Sequence, residues 1–354
     1  MADRRTHFRF LLTIGLGCAG GYAASLLNLP LAWMIGAMVA TTAAAMLGAP
    51  LYVFSWLRNV MVCVLGVMLG SSFTPAILGV IGDWVLSLAM LAVYIAVAGG
   101  SCFLYFRKLC GFDKTTAYFS GMPGGLAEMV IVGESFGGDS RIISLVHGLR
   151  VLLVVLIVPF GFQLFLPFSI ADRPPPGVPL LELPLDDLAI LFAVGVVGYL
   201  GSRLLNIPAA RLVGPMVLSM AVHLAGWTTA SPPTEVIYGA QVVIGAAIGT
   251  RFADTSMKLI GRTMIQALGA TLILVGFTLV FAAGLTAAVG LPFDAVVLGF
   301  APGGLIEMSL IALALSADTA FVATHHIVRI AFVVIGAPLV FRKGLKPPEG
   351  PGSG

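Results

Sequence analysis

The chain has 354 residues, of which 59% are hydrophobic and 10% charged, and its mean hydropathy is +1.04. About a quarter of the residues of a soluble globular protein are charged, because its surface must stay hydrated. The composition therefore excludes a soluble enzyme, a nucleic-acid-binding protein and a disordered chain. Since a membrane-spanning helix needs about 20 apolar residues, about ten crossings fit, and a polytopic membrane protein is predicted.

The first apolar run extends from Phe10 to Leu27 and follows three arginines, at positions 4, 5 and 9. Such a start resembles a cleavable signal peptide. An equivalent run at 188–205 lies inside the chain, however, so we expect a permanent helix. The four cysteines lie in or beside apolar runs without CxxC spacing, and neither a disulfide framework nor a zinc site is predicted.

The chain contains two copies of one sequence unit. At an offset of 178 to 179 residues, GMPGGLAEM at 121–129 repeats as FAPGGLIEM at 300–308. Apolar bias alone cannot place Pro, Glu, Asp, His and Arg at one offset, so the repeat is genuine. It predicts four regions, namely a first membrane repeat (1–170), a proline-rich periplasmic linker (171–184), a second membrane repeat (185–342) and a disordered cytoplasmic tail (343–354).

Each repeat is predicted to contain about five transmembrane helices and one segment broken at a PGG sequence, near 115–135 and near 293–315. If each broken segment enters and leaves on one side, nearly all loop cations lie on the side of the N-terminus, and Arg173 lies on the other. The second repeat is then inverted relative to the first. The predicted fold class is an all-α polytopic protein of the bacterial inner membrane, with two inverted-topology repeats, re-entrant or discontinuous broken helices, and both termini in the cytoplasm.

Twelve repeated residues in and beside the broken segments are the candidate substrate-binding or ion-binding residues. An interrupted helix leaves backbone groups unpaired, which lipid does not tolerate unless protein or a watery cavity receives them. The half-helix after each break directs its positive N-terminal end at the break, which suits an anion. The candidates are Pro123, Gly124, Gly125, Glu128, His147, Arg150, Pro302, Gly303, Gly304, Glu307, His326 and Arg329.

Glu128 and Glu307 each follow the second glycine of a break by three residues. One interpretation is that each carboxylate caps its own half-helix, as in a capping box. The other is a membrane-embedded carboxylate that binds a proton or a sodium ion. The two interpretations are compatible.

In each repeat a histidine precedes an arginine by three residues on one helical face, as His147 with Arg150 and His326 with Arg329. Each arginine either forms an ion pair with the glutamate of its own repeat or also binds a substrate carboxylate or phosphate. Each histidine is either a proton carrier or an interhelical hydrogen-bonding group.

Two further repeated pairs have structural interpretations. Asp139 and Asp318 begin helices and are predicted to be N-caps. Asn28 and Asn206 each precede a proline by two residues and are predicted to form turns.

With PGGLAEM, PGGLIEM, the paired HxxR sequences and the duplication, the chain resembles the membrane AbrB family from Gly15 to Phe341. That family carries two labels, ammonia monooxygenase and AbrB-type regulator. The resemblance implies a distant relation to cation/proton antiporters and anion transporters, and a homodimer. A monooxygenase needs a metal or redox site, which the five histidines do not suggest, so no cofactor and no enzymatic activity are expected. A regulatory effect on gene expression would be indirect, since nucleic acid is not an expected partner.

Inverted repeats with broken helices are typical of secondary transporters. The sequence therefore predicts a secondary active transporter of a small, anionic organic solute, coupled to protons or sodium by alternating access, with the lipid bilayer as its surroundings. The alternatives are a membrane-embedded regulator or sensor that acts through a partner, and a passive channel or ammonia facilitator. A Walker A sequence is absent, so pumping driven by ATP would need a separate subunit.

Overall fold

A computed structural model describes residues 4–165, 177–207, 209–253 and 257–345, and this part of the chain is helical without strands. Its α-helices are α1 (Arg4–Leu26), α2 (Ala32–Met46), α3 (Ser55–Ser71), α4 (Trp84–Lys108), α5 (Lys114–Gly121), α6 (Leu126–Ser135), α7 (Ser140–Phe165), α8 (Leu185–Leu204), α9 (Ala210–Leu224), α10 (Thr234–Gly249), α11 (Met257–Val289), α12 (Phe293–Phe300), α13 (Leu305–Leu315) and α14 (Thr319–Val340).

Five segments of the described chain are long and apolar enough to cross a membrane, by their length and composition. They are Ile81–Lys108, Ser140–Phe165, Leu185–Leu204, Leu259–Val289 and Thr319–Gly344. Four shorter apolar helices accompany them, α2, α3, α9 and α13. The predicted all-α class is therefore confirmed, and the five segments are candidate membrane-spanning helices.

The chain divides into two compact units, and each unit takes segments from both sequence repeats. Unit 1 consists of Met1–Val85, Val154–Ile260 and Leu305–Ala323. Unit 2 consists of Leu86–Leu153, Gly261–Gly304 and Thr324–Gly354. Of the predicted linker, residues 171–176 lie outside the described residues, and so do residues 346–354 of the predicted tail.

In unit 1 the third helix of each repeat packs on the second helix of the other repeat. Helix α1 packs on α2 and α8 packs on α9, whereas α3 packs on α9 and α10 packs on α2. These contacts are close because glycines line them. A Cβ atom on Gly20 or Gly36 would collide with the backbone of the facing helix, and the same holds for Gly198 and Gly214. Small residues at such crossings let helix backbones approach in lipid.

The turns after α1 and α8 have the same unusual backbone. Asn28 has φ 50° and Asn206 has φ 53°, which confirms the predicted turns, while Pro208 lies outside the described residues. The residues just before α2 and α9, Leu31 and Ala209, are also left-handed, with φ of 48° and 52°. A left-handed backbone at a residue with a Cβ costs about 1–2 kcal/mol, so the surrounding packing must impose it.

We predict that Gly20→Ala lowers the midpoint of thermal unfolding of the detergent-solubilised protein by a few degrees. The added methyl group meets the Gly36 carbonyl and the Ala40 side chain, and overpacking of this kind costs about 1–3 kcal/mol. Gly15→Ala in the same helix is the matched control, because nothing lies within 4 Å of its Cβ position. Equal midpoints for the two variants would contradict the glycine packing.

Candidate functional site

Helices α5 and α6 form an antiparallel hairpin, here called hairpin 1, with residues 122–125 at its tip. The backbone N–H of Asp139, which follows α6, donates to Oγ1 of Thr116 in the first turn of α5 at 2.8 Å. The rings of Phe119 and Phe136 stack with centroids 5.8 Å apart. The start of α5 therefore lies beside the end of α6, and the chain returns to the level at which the hairpin began.

Each break occurs where the sequence places PGG. Helix α5 ends at Gly121 and Met122 is extended, with ψ 133°. Helix α12 ends at Phe300 and Ala301 is extended, with ψ 138°. A residue before proline disfavours the helical region, so both helices end there for the same steric reason.

An arginine of the neighbouring helix holds the carbonyls of each break. Arg150 of α7 donates from Nη1 to the Met122 carbonyl at 3.0 Å and from Nη2 to the Gly124 carbonyl at 2.8 Å. Such carbonyls have no partner within an interrupted helix, so the guanidinium replaces the missing helical bonds. In the second repeat, Arg329 of α14 donates in the same way, from Nη1 to the Ala301 carbonyl and from Nη2 to the Gly303 carbonyl.

The two histidines hold the last turn of the half-helix before each break. His147 Nε2 lies 2.9 Å from the Phe119 carbonyl, and His326 Nε2 lies 2.9 Å from the Leu298 carbonyl. A carbonyl only accepts, so the network assigns the ring proton to Nε2 in both. Nδ1 of His326 lies 2.9 Å from Nη2 of Arg329 and accepts from it. The hydrogen-bonding interpretation of the histidines thus has direct geometric support, and their role as proton carriers stays a prediction.

The expected ion pair between Arg150 and Glu128 is not formed. Arg150 has no carboxylate partner among the described residues, and its Nη atoms are occupied by the two break carbonyls. Glu128 is the third residue of α6, the capping-box position after the N-cap Gly125, and its carboxylate lies against Gly125. Arg150 bonds to the carbonyls because they are buried away from water, whereas the carboxylate of Glu128 is partly exposed and can bond with water.

Glu307 in unit 1 has a different environment from Glu128. Its side chain is buried, with 9% exposure, and the backbone N–H of Glu307 itself donates to its carboxylate. The charge of Arg251, in the 3₁₀ turn after α10, also acts on this carboxylate. The sequence repeat therefore does not make the two glutamates equivalent.

The two arginines form a buried cationic centre, which we define as Arg150, Arg329 and Tyr94. The arginines are 3% and 2% exposed, and their charges are close enough to act on each other. Both charges act on the Tyr94 hydroxyl, which lies 3.1 Å from Thr278 Oγ1. No carboxylate among the described residues acts on either arginine, and Nε of each is buried without a hydrogen-bond partner. Two uncompensated charges favour an anion, since buried charge without a partner is costly.

Sequence reasoning missed Tyr94, and it also missed the hydrogen-bonded pair of Ser87 and His325 in unit 2. Tyr94 does not recur at the repeat offset, where Ile273 stands, so the duplication gives no signal for it. Ser87 Oγ lies 2.8 Å from His325 Nε2, and this pair does not recur either. Across the described ranges, no group of three or more His, Cys, Asp and Glu residues could hold a metal ion.

The N-cap predictions are confirmed for both aspartates. Asp139 Oδ1 accepts from the backbone N–H groups of Arg141 and Ile142, at 3.0 and 3.1 Å. Asp318 Oδ1 accepts from the backbone N–H of Phe321 at 2.9 Å. These caps fix where α7 and α14 begin, and thereby the position of each arginine along its helix.

We predict that Arg150→Ala destabilises the tip of hairpin 1. The substitution leaves the Met122 and Gly124 carbonyls buried without donors, at about 1–3 kcal/mol for each group. Hydrogen exchange at residues 119–126 should accelerate, and the unfolding midpoint in detergent should fall. Arg141→Ala on the same helix is the control, because that side chain is exposed. Unchanged exchange in Arg150→Ala would refute the proposed support of the tip.

A family model described as "Transition state regulatory protein AbrB" matches residues 33–344. A protein of Bacillus subtilis (strain 168) called "Uncharacterized protein YhjN" is 27% identical, over 93% of this chain and 91% of that protein. A protein of Escherichia coli (strain K12) called "Putative regulator AbrB" is also 27% identical, over 89% of this chain and 90% of that protein. The span of the family model includes both PGG breaks and both HxxR helices, and the chain belongs to the AbrB family.

Proposed function

We propose that the protein is a secondary active transporter of a small organic anion, coupled to protons or sodium by alternating access. The cationic centre is the observation that carries the proposal. Two buried guanidinium groups without a carboxylate partner among the described residues provide a site at which an anion is stabilised. The anion is expected to be small because the centre lies among packed helices rather than on a surface.

The position of each arginine along its helix supports a site near the middle of the bilayer. Arg150 follows the N-cap Asp139 by eleven residues, and Arg329 follows Asp318 by eleven. Eleven residues of α-helix rise about 16 Å. That is about half of the ~30 Å hydrocarbon core, so both arginines reach the midplane if both helices start at a membrane surface. Transporter sites are typically found at this depth.

The geometry of hairpin 1 supports a re-entrant topology. Its two ends lie together at Thr116 and Asp139, so a hairpin that starts at a membrane surface returns to that surface. Five crossings per repeat then follow, and the second repeat is inverted relative to the first, as the distribution of loop cations favours. Inversion would bring two breaks to the midplane from opposite faces, an arrangement suited to alternating access.

The two glutamates after the breaks are the proposed coupling groups. Each lies in the first turn of a half-helix, directly after a break. Binding of a proton or a sodium ion would remove the negative charge of the carboxylate beside the break and so strengthen anion binding there. Glu307 is the stronger candidate for this exchange, because its carboxylate is the more deeply buried of the two.

The re-entrant topology predicts which surface positions share a side of the membrane. In a variant without native cysteines, Lys108→Cys at the end of α4 and Ser135→Cys at the end of α6 should be labelled by an impermeant maleimide from the same side. Asp83→Cys, at the other end of the span that includes α4, should be labelled from the opposite side. Labelling of positions 108 and 135 from opposite sides would show that the broken segment crosses the membrane.

Transport itself is tested with purified protein in liposomes, after a thermal-shift screen of organic acids has identified a stabilising anion. An applied proton or sodium gradient should drive uphill accumulation of that anion. Glu128→Gln and Glu307→Gln should reduce the dependence of uptake on the gradient, because neither amide exchanges a proton. Glu182→Gln, at an exposed position, is the control. If both glutamine variants keep the uptake and the pH dependence of the native protein, the coupling proposal is wrong.

A regulatory role is the second candidate, and the names of the family model and of the Escherichia coli relative favour it. A regulator that acts through a partner should co-purify with another protein from the membrane and should move no solute in liposomes. Uphill accumulation of an anion would decide for transport over both this role and a passive channel.

A further inference from the structure

Unit 1 contains an apolar groove with a volume of about 700 Å³, which is in the range of ligand pockets. The groove runs along α8 from Leu185 to Leu200, between α3, the start of α10 and Leu180. Cys63 and Tyr199 are the lining residues whose side chains carry a polar atom, and all other lining side chains are hydrocarbon. Such a groove suits a long apolar ligand without polar groups along its length.

The groove is open on the α8 side. Leu185 is 83% exposed, Phe192 is 74% exposed and Leu200 is 49% exposed. In a chain that spans a bilayer, these side chains face the acyl chains of lipids. An apolar ligand can therefore enter the groove sideways from the bilayer.

The two ends of the groove carry opposite charges. At the Leu200 end, Arg203 lies in the last turn of α8, and the charge of Arg211 acts on Cys63. At the Leu185 end, Asp186 and Asp187 lie in the first turn of α8. Glu235 is also at this end, because its carboxylate accepts from the Leu180 N–H at 3.0 Å. The charges therefore select one orientation for an amphipathic ligand with a negative head group.

We propose that this groove binds an acyl chain of an anionic phospholipid, whose head-group phosphate is held by Arg203 and Arg211. Leu185 and Leu200 are 15 residues apart, so the groove is about 22 Å long. The groove is therefore longer than one leaflet of the hydrocarbon core, which is ~15 Å thick. An acyl chain whose head group lies at the arginine end fits within the groove and ends before the acidic residues. Arginines that extend to the membrane interface bind anionic head groups in this way. The site rests on the membrane-spanning fold of unit 1 and not on transport.

The groove can be filled without disturbing the helices. A Cβ on Gly195 meets Val67 Cγ2 at 3.6 Å, an ordinary contact, and a larger side chain there extends into the groove. Gly195→Leu should therefore block an acyl chain. Gly201→Leu is the matched control on the same helix, because nothing lies within 4 Å of its Cβ position and it does not line the groove.

The test is native mass spectrometry of the full chain in mild detergent, with added phosphatidylglycerol or with phosphatidylcholine of the same acyl chains. The native protein should retain phosphatidylglycerol in preference. Gly195→Leu should lower retention of both lipids several-fold. Arg203→Gln combined with Arg211→Gln should remove the preference and leave binding of phosphatidylcholine, which has no net charge. Gly201→Leu and Arg262→Gln, which changes an exposed arginine of α11, should behave like the native protein.

Three results would overturn the lipid site. One is equal retention of lipid by Gly195→Leu and Gly201→Leu. Another is a preference for phosphatidylglycerol that survives the double arginine substitution. The third is a change from dimer to monomer in Gly195→Leu without a change in bound lipid, which would assign the groove to a second copy of this chain.

Discussion

The demand of backbone carbonyls for donors in a lipid environment is the constraint on which the rest of this structure depends. PGG ends a helix inside an apolar protein and leaves carbonyls that water does not reach. Arg150 supplies two donors to one break, and Arg329 supplies two to the other. The histidine one turn earlier holds the preceding half-helix in each case. Arginine suits this task because its planar fork donates in two directions at once.

These hydrogen bonds leave the charge of each arginine uncompensated. The Nη atoms donate to neutral carbonyls, which do not cancel the positive charge. The two charges act on each other and on the hydroxyl of Tyr94. The same groups that make the breaks structurally possible therefore make the centre attractive to an anion. The proposed function and the stability of the breaks thus depend on the same side chains, and a substitution of either arginine must be tested for both.

Unit 1 follows a different physical principle, because close packing at glycines brings its helices together. Helices from the two repeats alternate as neighbours there. Within each repeat the backbones approach closely, at Gly20 with Gly36 and at Gly198 with Gly214. Such contacts leave little room for side-chain rearrangement. The groove along α8 is the exception, since a Cβ atom added to Gly195 would meet Val67 alone among the described residues within 4 Å. An apolar groove of this kind in a membrane protein is a place for lipid to bind.

The sequence by itself determined the membrane-spanning all-α class, the positions of both breaks, the turns at Asn28 and Asn206, and the N-caps Asp139 and Asp318. These features depend on composition or on residues a few positions apart, so local physics fixes them. The tertiary structure decided that Arg150 bonds to carbonyls instead of Glu128, that Tyr94 joins the cationic centre, and that Leu31 and Ala209 take a left-handed backbone. Each of these outcomes is a competition between partners from different helices. Only the packing of those helices determines which groups come within reach.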